Sequence, residues 1–132
     1  MNWQEFEKEI EKLSKKINFT PDFVVGITRG GVIPARLLCK YLGVRNMHCI
    51  SVKKVENERV VTTETSEDLA GKNILLVEDI LETGRSLEVA KEYLGSKGAN
   101  VQTVCLYITP RTQEAPDYYL EKIAEVIDFP WE

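Results

Sequence analysis

At 132 residues, 43% hydrophobic and 29% charged, the chain has the size and composition of one globular domain with one core. A net charge of −4 argues against nucleic acid held on a basic face, and no apolar run is long enough to span a membrane. The acidic, amphipathic start is not a signal peptide, and Cys39, Cys49 and Cys105, which form no CxxC, read as buried thiols of a reducing, cytoplasmic compartment.

Trp3, Phe6, Ile10, Leu13 and Ile17 recur at spacings of three and four among Glu, Lys and Gln. This predicts an amphipathic helix within residues 1–20, closed before Pro21. Phe23 to Ile27 reads as the first buried strand. It runs into Thr28-Arg29-Gly30-Gly31 and then a helix, with Pro34 in its first turn and Gly43 as its cap. Two glycines let backbone amides approach an anion, and Arg29 stands beside them. Asn46 to Lys53 is the second strand. The single histidine, His48, falls at its start, where a structural or exposed role is expected. Residues 54–70 are polar with a β-prone centre at Arg59 to Thr65, and read as a hairpin or flap.

The most informative stretch follows. Asn73 to Glu78 forms the third strand, an apolar run that ends on two acids, Glu78 and Asp79. Ile80 and Leu81 lead to Glu82-Thr83-Gly84-Arg85-Ser86, which opens a helix over 86–96. In an open α/β sheet, ligands bind outside the carboxyl ends of the strands. The free N–H groups and dipole at the helix start suit a phosphate. Two carboxylates would repel a bare polyphosphate. They fit a ligand that brings hydroxyls to donate or a divalent cation, and a ribose phosphate satisfies the first need and the phosphate site together. Val101 to Ile108 is the fourth strand, followed by Thr109-Pro110-Arg111-Thr112. Residues 113–132 carry Glu114, Asp117, Glu121, Glu125, Asp128 and Glu132 against Lys122 alone. The pattern predicts one domain over 1–132 of the α/β class. Its core is a mainly parallel sheet of four to five strands flanked by helices.

Val77 to Ser86 resembles the phosphoribosyl diphosphate (PRPP) motif of type I phosphoribosyltransferases. A receiver domain, whose first strand also often ends in Val-Glu-Asp, is set aside: that strand comes too late here, and the only later acceptor, Asp117, follows Ala115-Pro116. Arg29-Gly30-Gly31 is similar to the loop that holds pyrophosphate in the same family. The ending Phe129-Pro130-Trp131-Glu132, preceded by Pro116-Asp117-Tyr118, resembles the hypoxanthine and xanthine-guanine group.

The resemblance implies transfer of the 5-phosphoribosyl group from PRPP to a purine base, most simply a 6-oxopurine. Pyrophosphate is released, with Mg²⁺, in a homodimer. Glu78 and Asp79 would hold the ribose diol and the metal assembly. Glu82, Thr83, Gly84, Arg85 and Ser86 would hold the 5-phosphate, and Thr28, Arg29, Gly30 and Gly31 the pyrophosphate. Ile80, Thr109, Val126 and Ile127 would meet the base, with Glu82 also acting on its N7. Residues 54–70 would be a flap and 116–132 a lid, and the Thr28–Arg29 peptide would be cis or flip between states. Asp79→Asn should cost far more than Glu64→Gln in the flap.

Three departures from the purine group concern the base. A lysine that reads the 6-oxo group is replaced by Thr109, an aromatic near Val126 is absent, and Val52-Lys53 stands where Ser-Tyr is common. Two alternatives stay open: a PRPP-binding regulator without turnover, and a transferase for another base.

Overall fold

The computed structural model describes residues 1–63, 65 and 67–132, so Glu64 lies outside the described residues. The elements run α1 (Trp3–Lys16), β1 (Phe23–Thr28), α2 (Val32–Leu42), β2 (Met47–Val55), β3 (Glu58–Val61), β4 (Asn73–Val77), β5 (Ile80–Leu81), α3 (Arg85–Ser96), β6 (Asn100–Val104), β7 (Tyr107–Ile108) and β8 (Glu121–Lys122). Five strands form the main sheet in the order β3-β2-β1-β4-β6, parallel except for β3. The expected α/β sheet flanked by helices is therefore present.

Alternation along the buried strands sorts the core into two layers. Val24, Leu75 and Val77 face α1 and α2, where they meet Phe6, Ile10, Leu13 and Leu38. Val25, Ile74 and Leu76 face the other way, onto Leu87, Ala90 and Leu94 of α3. Helices on both faces explain why β1 and β4 read as continuous apolar runs. α1 is shorter than the 1–20 span, because its last apolar residue, Ile17, is already extended as the C-cap. Trp3 is half exposed, although it leans on Phe6 and Trp131.

Two sequence expectations need correction. The second strand continues past Lys53 to Val55. It turns at Glu56 and Asn57, both at positive φ as a tight hairpin requires, and pairs back with β3. The run 101–108 is not one strand. The Glu78 N–H donates to the Val104 carbonyl and the Leu106 N–H to the Asp79 carbonyl, and beyond that crossing the two chains leave the main sheet. They continue as β5 and β7 in a second parallel sheet, β5-β7-β8. Residues 80–81 are thereby a strand that leads directly into Glu82.

The C-terminal segment is fastened at both ends. Asp117 accepts from the Thr103 N–H (2.8 Å) and hydroxyl (3.1 Å), and β8 pairs with β7. Further on, Phe129 is buried, and Trp131 stacks on it at 4.8 Å and meets Phe6 of α1 edge-on at 4.9 Å.

Candidate active site

The parallel register brings two strand ends to one edge of the sheet. Gly26 of β1 is level with Val77 of β4, so the loop from Thr28 and the Glu78-Asp79 pair emerge side by side. Each strand passes through a short loop into a helix, α2 after β1 and α3 after β4. α1 is closed at its start by a capping box from Asn2 and Glu5. α2 and α3 start at Gly31 and Gly84 without a side-chain cap from either glycine. In α3 the Arg85 N–H donates to Thr83 Oγ1 at 3.3 Å, which leaves the Ser86 and Leu87 N–H groups for an anion; in α2 the Val32 N–H donates to the Arg29 carbonyl at 3.2 Å and Pro34 has no N–H, which leaves that of Ile33.

Two adjoining cavities open along this edge. The smaller, about 260 Å³, is walled by Glu82 to Leu87 and by Arg59 of β3. The larger, about 750 Å³, is lined by Thr28, Arg29, Gly30, Glu78, Asp79, Ile80, Glu82, Val126, Trp131 and Glu132. Glu78, Ile80 and Glu82 belong to both, so the acids stand between an anion cradle and a wider cleft. The structure thus gathers most of the sequence-predicted site residues at one place. Gly31 lies just behind the lining. A Cβ there would collide with the Val77 carbonyl, and one on Gly30 would collide with the Asp79 carboxylate, so both glycines let the first loop close onto the second. The Thr28–Arg29 peptide is cis, one of the two states the resemblance implied.

Asp79 is buried and its Oδ1 accepts from the Ile80 N–H at 2.7 Å. Burial raises its pKa, the Ile80 N–H opposes that, and the Glu132 charge raises it further. Glu78 accepts from the Asp79 N–H at 3.3 Å. Burial of its carboxylate, reinforced by the neighbouring Asp79 charge, pushes its pKa up to about 8. Among the described residues neither acid has a cationic side-chain partner within salt-bridge distance. Buried carboxylates in this condition are costly alone and suit a ligand that brings hydroxyl donors or positive charge. Two carboxylates are too few for a complete cation site, and no group of three metal-ligating side chains occurs among the described residues. A Mg²⁺ held here would take its other oxygens from the substrate and from water.

Thr109 and Ile127 are not brought to the cleft. The Thr109 hydroxyl donates to the carbonyls of Leu81 (3.1 Å) and Glu82 (3.2 Å) and is buried, while Ile127 packs toward the α1–α2 layer. The Thr109 hydroxyl is thereby turned away from the cleft, contrary to expectation, and instead fixes the backbone that carries Glu82; the expectation for Ile127 concerns its backbone groups, not its side chain. Sequence reasoning missed Arg59, whose Nε donates to the Ser86 Oγ at 3.2 Å across 27 positions of chain. It placed Trp131 and Glu132, which line the cleft, only within the 116–132 lid, and it missed Arg111, whose Nη2 donates to Glu82 Oε2 at 2.8 Å.

A parallel sheet with two strand–loop–helix units and a paired-acid cleft at its carboxyl edge is the architecture of a ligand-binding α/β domain. Residues 1–132 match the phosphoribosyl transferase domain family, and the chain belongs to that family. It is an enzyme of this type. It is 29% identical to the xanthine-guanine phosphoribosyltransferase of Chromohalobacter salexigens, over 100% of this chain and 82% of that one. Its fold is similar to that of a purine phosphoribosyltransferase from Pyrococcus horikoshii Ot3, with a TM-score of 0.92 and 35% identity over 100% of this chain and 92% of the other. It is also similar to the Helicobacter pylori xanthine-guanine-hypoxanthine phosphoribosyltransferase, with a TM-score of 0.85 and 25% identity over 99% and 90% of the two chains. No helix among the described residues is long and apolar enough to cross a membrane.

Proposed function

We propose that this chain transfers the 5-phosphoribosyl group of PRPP to a purine, a 6-oxopurine such as hypoxanthine or guanine, in purine salvage. The observation that carries this reading is the acid pair between two adjoining cavities, one a phosphate cradle and the other wide enough for a base and a pyrophosphate. Asp79 and Glu78 accept from the ribose hydroxyls. The α3 N-terminus, Thr83 to Ser86 and Arg59 hold the 5-phosphate, and Thr28 to Gly31 hold the pyrophosphate. The bond from the anomeric carbon to pyrophosphate breaks with its electron pair leaving on pyrophosphate. N9 of the base takes its place, and the proton at N7 passes to Glu82. Mg²⁺, held by Asp79 and Glu78 together with the substrate, would stabilise the leaving group.

We further infer that the chain is one domain whose flap (54–70) and C-terminal cover (116–132) flank the base. It would act as a homodimer in the cytoplasm. Free Cys39, Cys49 and Cys105 support a reducing compartment. Half-exposed Val126 and the backbone near Ile127 are the parts of the cover that would face the base. Sedimentation tests the dimer.

A pyrophosphate-release screen of PRPP against hypoxanthine, guanine, xanthine, adenine, uracil and orotate tests the reaction. Faster turnover of orotate or uracil than of every purine would sink it. No release with any of the bases would leave a PRPP-binding regulator without turnover, a role for which Glu82 at the base cavity has no use. Glu82→Gln is expected to lower kcat with purines by at least about tenfold while PRPP binding stays nearly intact, because the cradle's backbone amides remain. Arg59→Ala is expected to raise KM for PRPP by about 10- to 100-fold, the loss of a charged hydrogen bond to phosphate, with less effect on kcat.

A further inference from the structure

We propose that Arg111 is the residue that selects an oxo over an amino substituent on the base. The turn that carries it is bolted in place. The Thr112 N–H donates to the Thr109 carbonyl at 3.0 Å, the Thr109 N–H to the Thr112 Oγ1 at 3.1 Å, and the Thr112 hydroxyl to the Leu81 carbonyl at 2.9 Å. The tip of this turn therefore has a fixed place beside Glu82, and Arg111 Nη2 donates to Glu82 Oε2 at 2.8 Å. Both side chains are more than half exposed, 66% and 54%, so the pair adds little to folding. Glu82 is the only hydrogen-bond partner of Arg111 among the described residues, which leaves the other guanidinium donors available.

The chemistry of the pair matches one edge of a purine. N7 and the 6-substituent lie side by side on that edge; guanine presents an oxygen acceptor there and adenine an amino donor. With N7–H on the Glu82 carboxylate, the 6-substituent lies toward the guanidinium. An oxo group accepts from it, whereas an amino group sets donor against donor. Thr109, whose hydroxyl is spent on two main-chain carbonyls, does not serve this purpose. The proposal rests on the reading that Glu82 meets N7 of a purine.

The test compares inosine and adenosine monophosphates, which differ in this substituent; in both, N7 has no proton and accepts from Glu82 in the protonated form that the transfer leaves, so the same edge faces the pair. Their Kd values are measured by calorimetry for the wild type, Arg111→Gln and Arg111→Lys, alongside kcat/KM for hypoxanthine. The expected result is a wild-type preference for the inosine nucleotide that falls by about 10- to 100-fold in Arg111→Gln and is partly recovered in Arg111→Lys. Equal weakening of both nucleotides in Arg111→Gln, or no change in either, overturns the selector and leaves the purine reading standing. A wild type that binds neither nucleotide overturns the purine reading and the selector with it.

Discussion

Asp79→Asn lowers kcat/KM for PRPP by about 10- to 100-fold or more, while Glu121→Gln on exposed β8 leaves it within about twofold. Asn is the same size, so the backbone crossing at Leu106 survives and the loss is chemical. One oxygen of Asp79 is already engaged by the Ile80 N–H, and the other lies against Gly30, in the wall of the cleft. An amide keeps a single acceptor. If the oxygen stays on Ile80, the NH₂ faces the ribose hydroxyls and the cation side of the substrate, where an acceptor is required. A buried hydrogen bond half lost costs about 1–3 kcal/mol because the partner is left unsatisfied. Steady-state kinetics with PRPP as the varied substrate decide it. Equal, small effects in the two variants would remove Asp79 from the diol site.

The strand ends and helix starts were legible because local chemistry dictates them. Apolar runs bounded by Gly30-Gly31 and by Glu78-Asp79 are strand–loop–helix units whatever lies around them, and the parallel register then places both loops at one edge. Gly43 was readable as a cap for the same reason, and it adopts the left-handed conformation. The break after Val104 was not readable. Cys105 and Leu106 are fully buried on opposite layers, so the hydrophobic pattern runs on unbroken while the hydrogen-bonding partner changes from one sheet to the other. Arg59 was hidden in a polar stretch, since its meaning depends on a hairpin that folds it over Ser86. Thr109 misled for the opposite reason. It sits at a strand's carboxyl end, where ligand contacts are expected, but its hydroxyl is turned inward onto the chain that carries Glu82. Position along a strand predicts nearness to the site; it does not predict the direction of a side chain.

Glu78→Gln should stabilise the ligand-free protein and disable it. Glu78 keeps some surface toward the cleft, yet protein surrounds its carboxylate closely enough to raise the pKa to about 8. Unfolding returns it to the ordinary range, about 4.3. Between these values the folded chain binds more protons than the unfolded one, so this group makes stability fall as pH rises. Its penalty is absent below the unfolded pKa, grows through neutral pH, and is complete above about 8. Gln is isosteric and uncharged and carries no such penalty. In metal-free buffer with a chelator, Tm of the variant is expected to match the wild type at about pH 4, just below the unfolded pKa, and to exceed it by at least about 3 °C at pH 8. Addition of PRPP with Mg²⁺ should narrow or reverse the gap, because a ligand that binds only the folded state raises Tm in proportion to its affinity, and the wild type binds better. Activity at pH 8 should fall together with that affinity. The carboxylate that costs the empty fold stability is then the one whose charge the substrate assembly uses. If wild type and variant show the same Tm at both pH values, Glu78 is not a strained acid in the empty site, and its role beside Asp79 would have to be structural.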